Sequence, residues 1–122
     1  ELHGTSDVFA YFDGLSYVAS PSLPLVYRYT GDGYVEATRE FRSNVRANLD
    51  DAWRELERSL DSDKAYFHDV AGRALWVLGD SLLLGFGERG LERVRKIAPE
   101  RLDRWVEKHY EAAAQLVAKR FR

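Results

Sequence analysis

The most apolar stretch of the chain, residues 66–86, is predicted to form the centre of the fold. If it is wound as a helix at about 100° per residue, Asp69, Arg73 and Asp80 fall in one narrow polar stripe beside Trp76. The rest of its circumference is aliphatic, aromatic or glycine, so several neighbours must cover it. We therefore expect a central core helix that is surrounded by amphipathic helices.

A long amphipathic helix is predicted before the core helix, from about residue 35 to residue 60. One apolar phase holds throughout this segment, and residues 61–63 break it. Four arginines lie on the opposite face, where Asp50 and Asp51 interrupt them. The apolar stripe contains Phe41, Val45, Leu49, Ala52, Trp53, Leu56 and Leu60, and the arginines are Arg39, Arg46, Arg54 and Arg58.

Two features of the core helix predict its start and one of its contacts. Asp63 precedes the helix at a position where its carboxylate can cap the first turn. Gly72 and Gly79 lie seven residues apart on the same side as His68. Because glycine has no side chain, another helix is expected to approach closely there.

Two more helical segments are predicted after the core helix. Gly85 and Gly87 end the core helix, and Gly90 lies near the start of a short segment that reaches Ala98. Pro99 is then favourably placed in the first turn of the last helix. Its apolar face continues almost to the end of the chain and contains Leu102, Trp105, Val106, His109, Ala113, Leu116, Val117 and Phe121.

The first third of the chain has a less regular pattern. Residues 6–19 show helical spacing and predict a short helix, whereas the prolines of residues 20–24 favour an extended connector. Residues 25–29 favour a strand, which the turn at residues 31–33 can fold back onto residues 34–35 as a hairpin. The apolar residues of the predicted short helix are Val8, Phe12, Leu15, Val18 and Ala19.

These patterns predict a mainly all-α fold, a bundle of three to four helices. The irregular N-terminal third is the part in which a small β-hairpin can form. With 122 residues, the chain is long enough for one domain with a single core. Residues 1–34 are expected to form an N-terminal arm with the short helix and hairpin, and residues 35–122 the helical bundle.

The composition excludes several classes of site. The chain contains no cysteine, so disulfides, thiolate metal sites and cysteine nucleophiles are excluded. The apolar stretch carries three charged residues and is therefore unsuited to span a membrane, which predicts a soluble protein. Asparagine and glutamine are scarce, and cysteine and methionine are absent, a depletion that is typical of thermophilic proteins.

Charge is distributed unevenly along the chain. The formal net charge is −2, but residues 1–87 hold 8 basic and 14 acidic side chains, whereas residues 88–122 hold 10 and 6. The two parts therefore carry net charges of −6 and +4. An anionic partner is expected to contact the C-terminal third.

The last helix predicts a binding surface through two segregated stripes of charge. The residues of each stripe lie close to side chains of like charge, which is not the best arrangement for a solitary solvated helix. An external partner is one explanation, and phosphate is the natural anion for arginine. The basic stripe contains Arg101, Arg104, Lys108, Lys119 and Arg122, and the acidic stripe contains Glu100, Asp103, Glu107 and Glu111.

The histidines are the candidates for a catalytic role in this chain. His109 lies on an apolar helix face, which is typical of a packed, hydrogen-bonded histidine, and His68 is interpreted as structural. A metal site of His68, His109 and Asp69 lacks the ligand spacing of a helical zinc motif, so no metal site is predicted.

The segment Arg104-Trp-Val-Glu-Lys-His109 resembles the Arg-x4–6-His signature of HEPN-type ribonucleases. The resemblance covers six residues. It implies a small all-helical, dimeric, metal-independent ribonuclease in which His109 acts as acid and base and Arg104 stabilises the scissile phosphate. In a regular helix, however, Arg104 points outward and His109 inward.

We interpret the chain as a non-enzymatic structural or assembly protein, for example a coat-like or nucleoprotein-complex subunit. It is expected to self-associate and to contact the nucleic-acid backbone without reading bases. The alternatives are the ribonuclease and a protein-interaction adaptor, and no cofactor is predicted. The expected nucleic-acid contacts are Arg39, Arg46, Arg89, Arg93, Lys96, Arg101, Arg104, Lys108, Lys119 and Arg122.

Overall fold

The computed structural model describes residues 1–15 and 19–121, where a small antiparallel sheet precedes four helices. The sheet has the order β1-β2-β3. Its register places Leu2 opposite Tyr27 and Tyr29 opposite Tyr34. The mainly helical fold and the hairpin are therefore confirmed. The strands are β1 (Leu2–Ser6), β2 (Leu23–Tyr29) and β3 (Tyr34–Glu36), and the helices are α1 (Arg42–Leu60), α2 (Phe67–Leu83), α3 (Gly87–Ile97) and α4 (Glu100–Arg120).

The predicted core helix is α2, which packs against the other three helices and against β2. Its apolar positions are buried almost all the way round, from Val70 to Leu83. The polar stripe is only partly exposed: Asp69 and Arg73 are half-buried, but Asp80 is completely buried. None of the helices in the described ranges is long and apolar enough to cross a membrane.

The long helix α1 begins later than its apolar pattern predicts. The residues before it belong to β3 and to a 3₁₀ turn, Thr38–Glu40. Thr38 is fully buried, and its hydroxyl accepts a hydrogen bond of 3.0 Å from the backbone N–H of Val26. The backbone N–H of Ala37 donates to the carbonyl of the same Val26. These bonds hold the segment against β2, so the helix begins only at Arg42.

The predicted helix over residues 6–19 is wrong. Its first residue ends β1, and a short 3₁₀ turn, Phe12–Gly14, follows. Tyr11 and Asp13 have left-handed backbone conformations, with φ of 58° and 48°, which no right-handed helix contains. Apolar residues of this segment, such as Phe9, are buried without forming a regular helix. Val18 lies outside the described residues.

The two glycines on α2 permit close approach, but the approaching segment is not a helix. A Cβ atom at Gly72 would lie 1.9 Å from the carbonyl oxygen of Ala19. At Gly79 it would lie 2.7 Å from the side chain of Leu23 and 2.9 Å from that of Phe9. The N-terminal third therefore crosses α2 along its glycines and completes the core on that side.

The ends of the later helices agree closely with the sequence pattern. Gly85 has a φ of +86° and stops α2, whereas Gly87 begins α3. Pro99 lies immediately before α4. Asp63 does not cap α2: the residue before the helix is Tyr66, without a side-chain hydrogen bond, and Asp63 is exposed. On α4 the predicted apolar face is buried at Leu102, Val106, Ala113 and Val117, and Phe121 beyond it is also buried.

Candidate functional site

A groove of about 440 Å³ lies between α1 and α3 and is rimmed by four exposed arginines. Arg42 and Arg46 come from α1, and Arg89 and Arg93 come from α3. We call this surface the arginine groove. Its other lining residues are Leu49, Asp50, Trp53, Ser81, Phe86 and Gly90.

Helix periodicity and one close packing contact place these arginines together. Each pair is spaced four residues apart, so both members lie on the same face of their helix. Gly90 allows α3 to pack tightly on α2, because a Cβ atom there would lie 2.5 Å from the Ser81 hydroxyl. The face of α3 that carries its two arginines is thereby brought up to α1.

Three of the four guanidinium groups lie over aromatic rings. The Cζ atom of Arg93 lies over the ring of Trp53, 4.1 Å from its centroid. The Cζ atoms of Arg46 and Arg89 lie 5.8 Å and 5.9 Å from the centroid of the Phe86 ring. Cation–π contacts of this kind orient a guanidinium without neutralising its charge. The groove therefore presents positioned positive charge.

The four arginines are not paired with acidic side chains in the part of the chain that the structure describes. Within residues 1–15 and 19–121, no carboxylate lies in ion-pairing distance of any of them. Arg42 donates instead to the carbonyl oxygen of Leu84 at the end of α2, at 3.0 Å. The one acidic lining residue is Asp50, which is exposed. The groove therefore offers unneutralised donors to an anion.

The other arginines predicted on the long helix do not join the groove. Arg54 and Arg58 form ion pairs with Asp51 and Glu55 one turn away. Arg39 lies in the 3₁₀ turn and is half-buried, and its Nε atom has no hydrogen-bond partner among the described residues. The structure thus separates Arg46 from the other arginines with which the helical wheel grouped it.

The basic stripe of α4 lines a second depression of about 450 Å³, which we call the α4 groove. The guanidinium of Arg101 stacks 3.9 Å from the centroid of Phe67, and Arg104 pairs with Glu100. The two grooves meet opposite ends of α2, so they lie roughly 20 Å apart along that helix. The α4 groove is lined by Phe67, His68, Glu100, Arg101, Arg104, Trp105, Lys108 and His109.

Besides Arg39, two predicted contacts among the described residues lie in neither groove. Lys96 pairs with Glu92 on its own helix at 3.6 Å. Lys119 is exposed in the last turn of α4, far along the helix from the residues that line the α4 groove. Arg122 lies outside the described residues. The predicted basic residues therefore form two separate clusters with isolated members, not one continuous surface.

The acidic stripe of α4 has a partner within the chain. Arg95 of α3 donates to Asp103 at 2.7 Å and to Glu107 at 3.3 Å. The hydrogen bond and charge of Asp103, with the charge of Glu107, raise the pKa of Arg95. An external partner is therefore not needed to explain this stripe.

His109 is packed, as its place on the apolar face predicts, and its ring lies within ion-pairing distance of a carboxylate. Its side chain is 15% exposed, and its Nε2 atom lies 2.9 Å from Oδ2 of Asp13. The indole N–H of Trp105 donates to the same oxygen at 2.9 Å. The ring of Phe12 packs edge-on against both ring systems. Asp13 was missed because it is far away in sequence and lies within the wrongly predicted helix.

A buried carboxyl lies beside the arginine groove. Asp80 precedes Ser81 of the groove lining and is fully buried, with Oδ1 lacking a hydrogen-bond partner in the described structure. Burial raises the pKa of Asp80 from 3.8 to about 8. A hydrogen bond from Asn48 lowers the pKa and so opposes this shift. The nearby indole N–H of Trp76 also lowers the pKa, although it is not in hydrogen-bonding geometry.

No group of three metal-ligating side chains was found within residues 1–15 and 19–121. His68 and His109 line the same α4 groove, but with Asp69 they do not form such a group. Comparison with known proteins found no matching family model, no similar curated protein and no similar solved structure.

Proposed function

We propose that this protein binds the phosphate backbone of a nucleic acid through the arginine groove, as a non-enzymatic subunit of a larger assembly. The observation that supports this proposal is the set of four exposed arginines, for which the described residues provide no carboxylate partner. An unpaired cluster of like charge is unfavourable by itself, and an anion that bridges its members removes the repulsion.

Arginine chemistry favours phosphate as that anion. A guanidinium offers five donors in a planar fork that matches phosphate oxygens in pairs, and all four rim residues are arginine. Repeated phosphates along a polymer can engage several of them at once. The chain as a whole has a net charge of −2, so binding must depend on this local cluster.

Self-association is the second half of the proposal, and the sheet supplies its support. The rings of Tyr29 and Tyr34 lie tilted against each other at the end of the hairpin, with centroids 5.2 Å apart, and the two residues are 58% and 49% exposed. Paired exposed aromatics are enriched at protein interfaces. A subunit of a coat or nucleoprotein complex would combine such a contact with backbone binding at the arginine groove.

A neutralisation experiment tests the binding half. The variant Arg46→Gln/Arg89→Gln/Arg93→Gln should bind a labelled oligonucleotide far more weakly than wild type. Its salt dependence should also fall, by roughly 2 in the slope of log affinity against log salt for a single strand. Fluorescence anisotropy over a salt series measures both quantities.

The matched control is Arg28→Gln/Arg54→Gln/Arg58→Gln, which changes the net charge equally but removes arginines that already pair with carboxylates. It should bind like wild type. Equal weakening by both variants would show that only net charge matters and would contradict the groove. Sedimentation without nucleic acid tests self-association separately, and assembly without any oligonucleotide binding would favour the adaptor.

One observation supports the ribonuclease as a second candidate. Arg104 and His109 line the same α4 groove, together with His68 and Lys108. In that function His109 would act as acid and base, oriented by Asp13, while Arg104 would stabilise the scissile phosphate. Arg104 is exposed and His109 is not, so they would reach a phosphate from different depths.

A further inference from the structure

We infer that the arginine groove binds single-stranded nucleic acid in preference to duplex, by stacking unpaired bases on the Arg93–Trp53 pair and beside Phe86. This inference rests on the proposed backbone binding and names its ligand class. The reason is the aromatic floor of the groove, since backbone binding alone requires only its charged rim.

The Arg93–Trp53 pair provides a ready platform for a base. Trp53 is only 7% exposed, and the guanidinium of Arg93 covers its ring at 4.1 Å. Arg93 is itself exposed and lines the groove, so its guanidinium is accessible to a base there. Bases stack on guanidinium planes as they do on aromatic rings. A base in the groove therefore extends an existing stack, and Arg93 need not move.

Phe86 provides a second apolar surface in the same groove. Its half-buried ring lies between Arg46 and Arg89, whose Cζ atoms are both close to the outer limit of about 6 Å for a cation–π contact. Both arginines can therefore turn to a phosphate at little cost. A base beside the ring and a phosphate on either guanidinium would follow the alternation of a polynucleotide strand.

A duplex can use only part of this site. Its bases are paired and stacked inside the helix, so a duplex offers phosphates to the rim but no free base to the floor. The groove measures about 440 Å³, within the range of about 300–1,000 Å³ that is usual for small-ligand pockets. A segment of one strand fits such a volume, whereas a double helix must remain outside it.

The test compares three anions at one salt concentration: a single strand about 12 nucleotides long, a blunt duplex of the same sequence, and inorganic polyphosphate of similar charge. We expect the single strand to bind at least about tenfold more tightly than either of the others, since each stacked base is worth about that factor. A duplex that binds as tightly as the single strand would overturn the inference.

Arg93→Lys separates stacking from charge, because lysine keeps the charge but has no planar group. It should weaken single-strand binding about tenfold and polyphosphate binding clearly less, because polyphosphate loses one of several forked donors but no stacking surface. Phe86→Leu should show the same selectivity, and Arg54→Lys, away from the groove, is the matched control. Melting temperatures confirm that each variant is folded.

The outcomes separate the inference from the proposal beneath it. If Arg93→Lys weakens single strand and polyphosphate equally, or weakens neither, stacking is absent and the inference is wrong, while backbone binding stands. If wild type binds none of the three anions, the proposed function fails together with the inference.

Discussion

Asn48 and Asp80 join α1 to α2 by a hydrogen bond of 2.6 Å from Nδ2 of the amide to Oδ2 of the carboxyl. The other oxygen of Asp80 has no partner, and the residue is completely buried. Ionisation would leave a largely uncompensated charge in the core. This explains why burial raises the pKa of Asp80 to about 8 and keeps the carboxyl mainly protonated at neutral pH.

Asp80→Asn should remove a pH dependence of stability. Between pH 3.8 and about 8 the folded state holds a proton that the unfolded state has lost. The free energy of unfolding must therefore decrease as pH rises through this window, and level off above it. The variant, which has no proton to hold, should gain stability over wild type at pH 8 and much less at pH 5. Urea unfolding at both pH values measures the difference, with the exposed Asp61→Asn as control. If the free energies of unfolding of wild type and Asp80→Asn changed equally between the two pH values, the raised pKa would be contradicted.

Leu78→Ala should destabilise the protein by about 2–5 kcal/mol, because the side chain is 1% exposed in the centre of the core. Leu2→Ala removes the same atoms from a residue that is 49% exposed and should change stability by no more than about 0.5 kcal/mol. Thermal or urea unfolding compares the two variants. Similar losses for both would show that α2 is not the centre of the fold.

Gly72→Ala should detach the N-terminal segment from α2. The new methyl group would meet the Ala19 carbonyl at 1.9 Å, and a backbone atom cannot rotate away as a side chain can. Overpacking of this kind costs about 1–3 kcal/mol, which exceeds the helix-propensity gain of about 1 kcal/mol. Gly33→Ala, with no atom within 4 Å, is the control. A stabilised Gly72→Ala variant would mean that the segment does not pack there.

RNA cleavage distinguishes the two proposed functions. Under metal-free conditions, we expect purified wild type to leave a single-stranded RNA intact, as a binding protein should. If cleavage does occur and is lost in folded His109→Ala and Arg104→Ala variants, the ribonuclease is the correct function. Arg104 is exposed, so its variant should keep wild-type stability, which separates lost chemistry from unfolding. Asp13→Asn should then also be impaired through the orientation of His109.

The helical part of the fold was largely predictable because its signals are local. The apolar circumference of α2 and the stripe of α4 follow directly from helical spacing, and Gly85 stops α2 by its backbone conformation. In the N-terminal third the hairpin of β2 and β3 was predictable from its turn, whereas strand β1 was not, since it depends on contacts farther along the chain. Residues 2–6 have little apolar character and form a strand only because β2 offers them hydrogen bonds.

The candidate site was predictable by residue but not by arrangement. Arg46, Arg89 and Arg93 were all expected to bind nucleic acid, yet their common groove depends on how α1 and α3 both pack on α2. Arg42 was not predicted, because the helical pattern over residues 35–60 grouped only Arg39, Arg46, Arg54 and Arg58 opposite the apolar stripe. The partner of Asp103 was missed because Arg95 belongs to another helix.

The hydrogen bond between Trp105 and Asp13 spans 92 positions of the chain. A ribosome completes the first third of this chain long before it has made α4, so Phe12 and Asp13 emerge without the rings that they contact. Loop closure over such a separation is slow compared with the pairing of neighbouring helices. The contacts of Phe12 and Asp13 with Trp105 and His109 therefore form only after the last helix has been made.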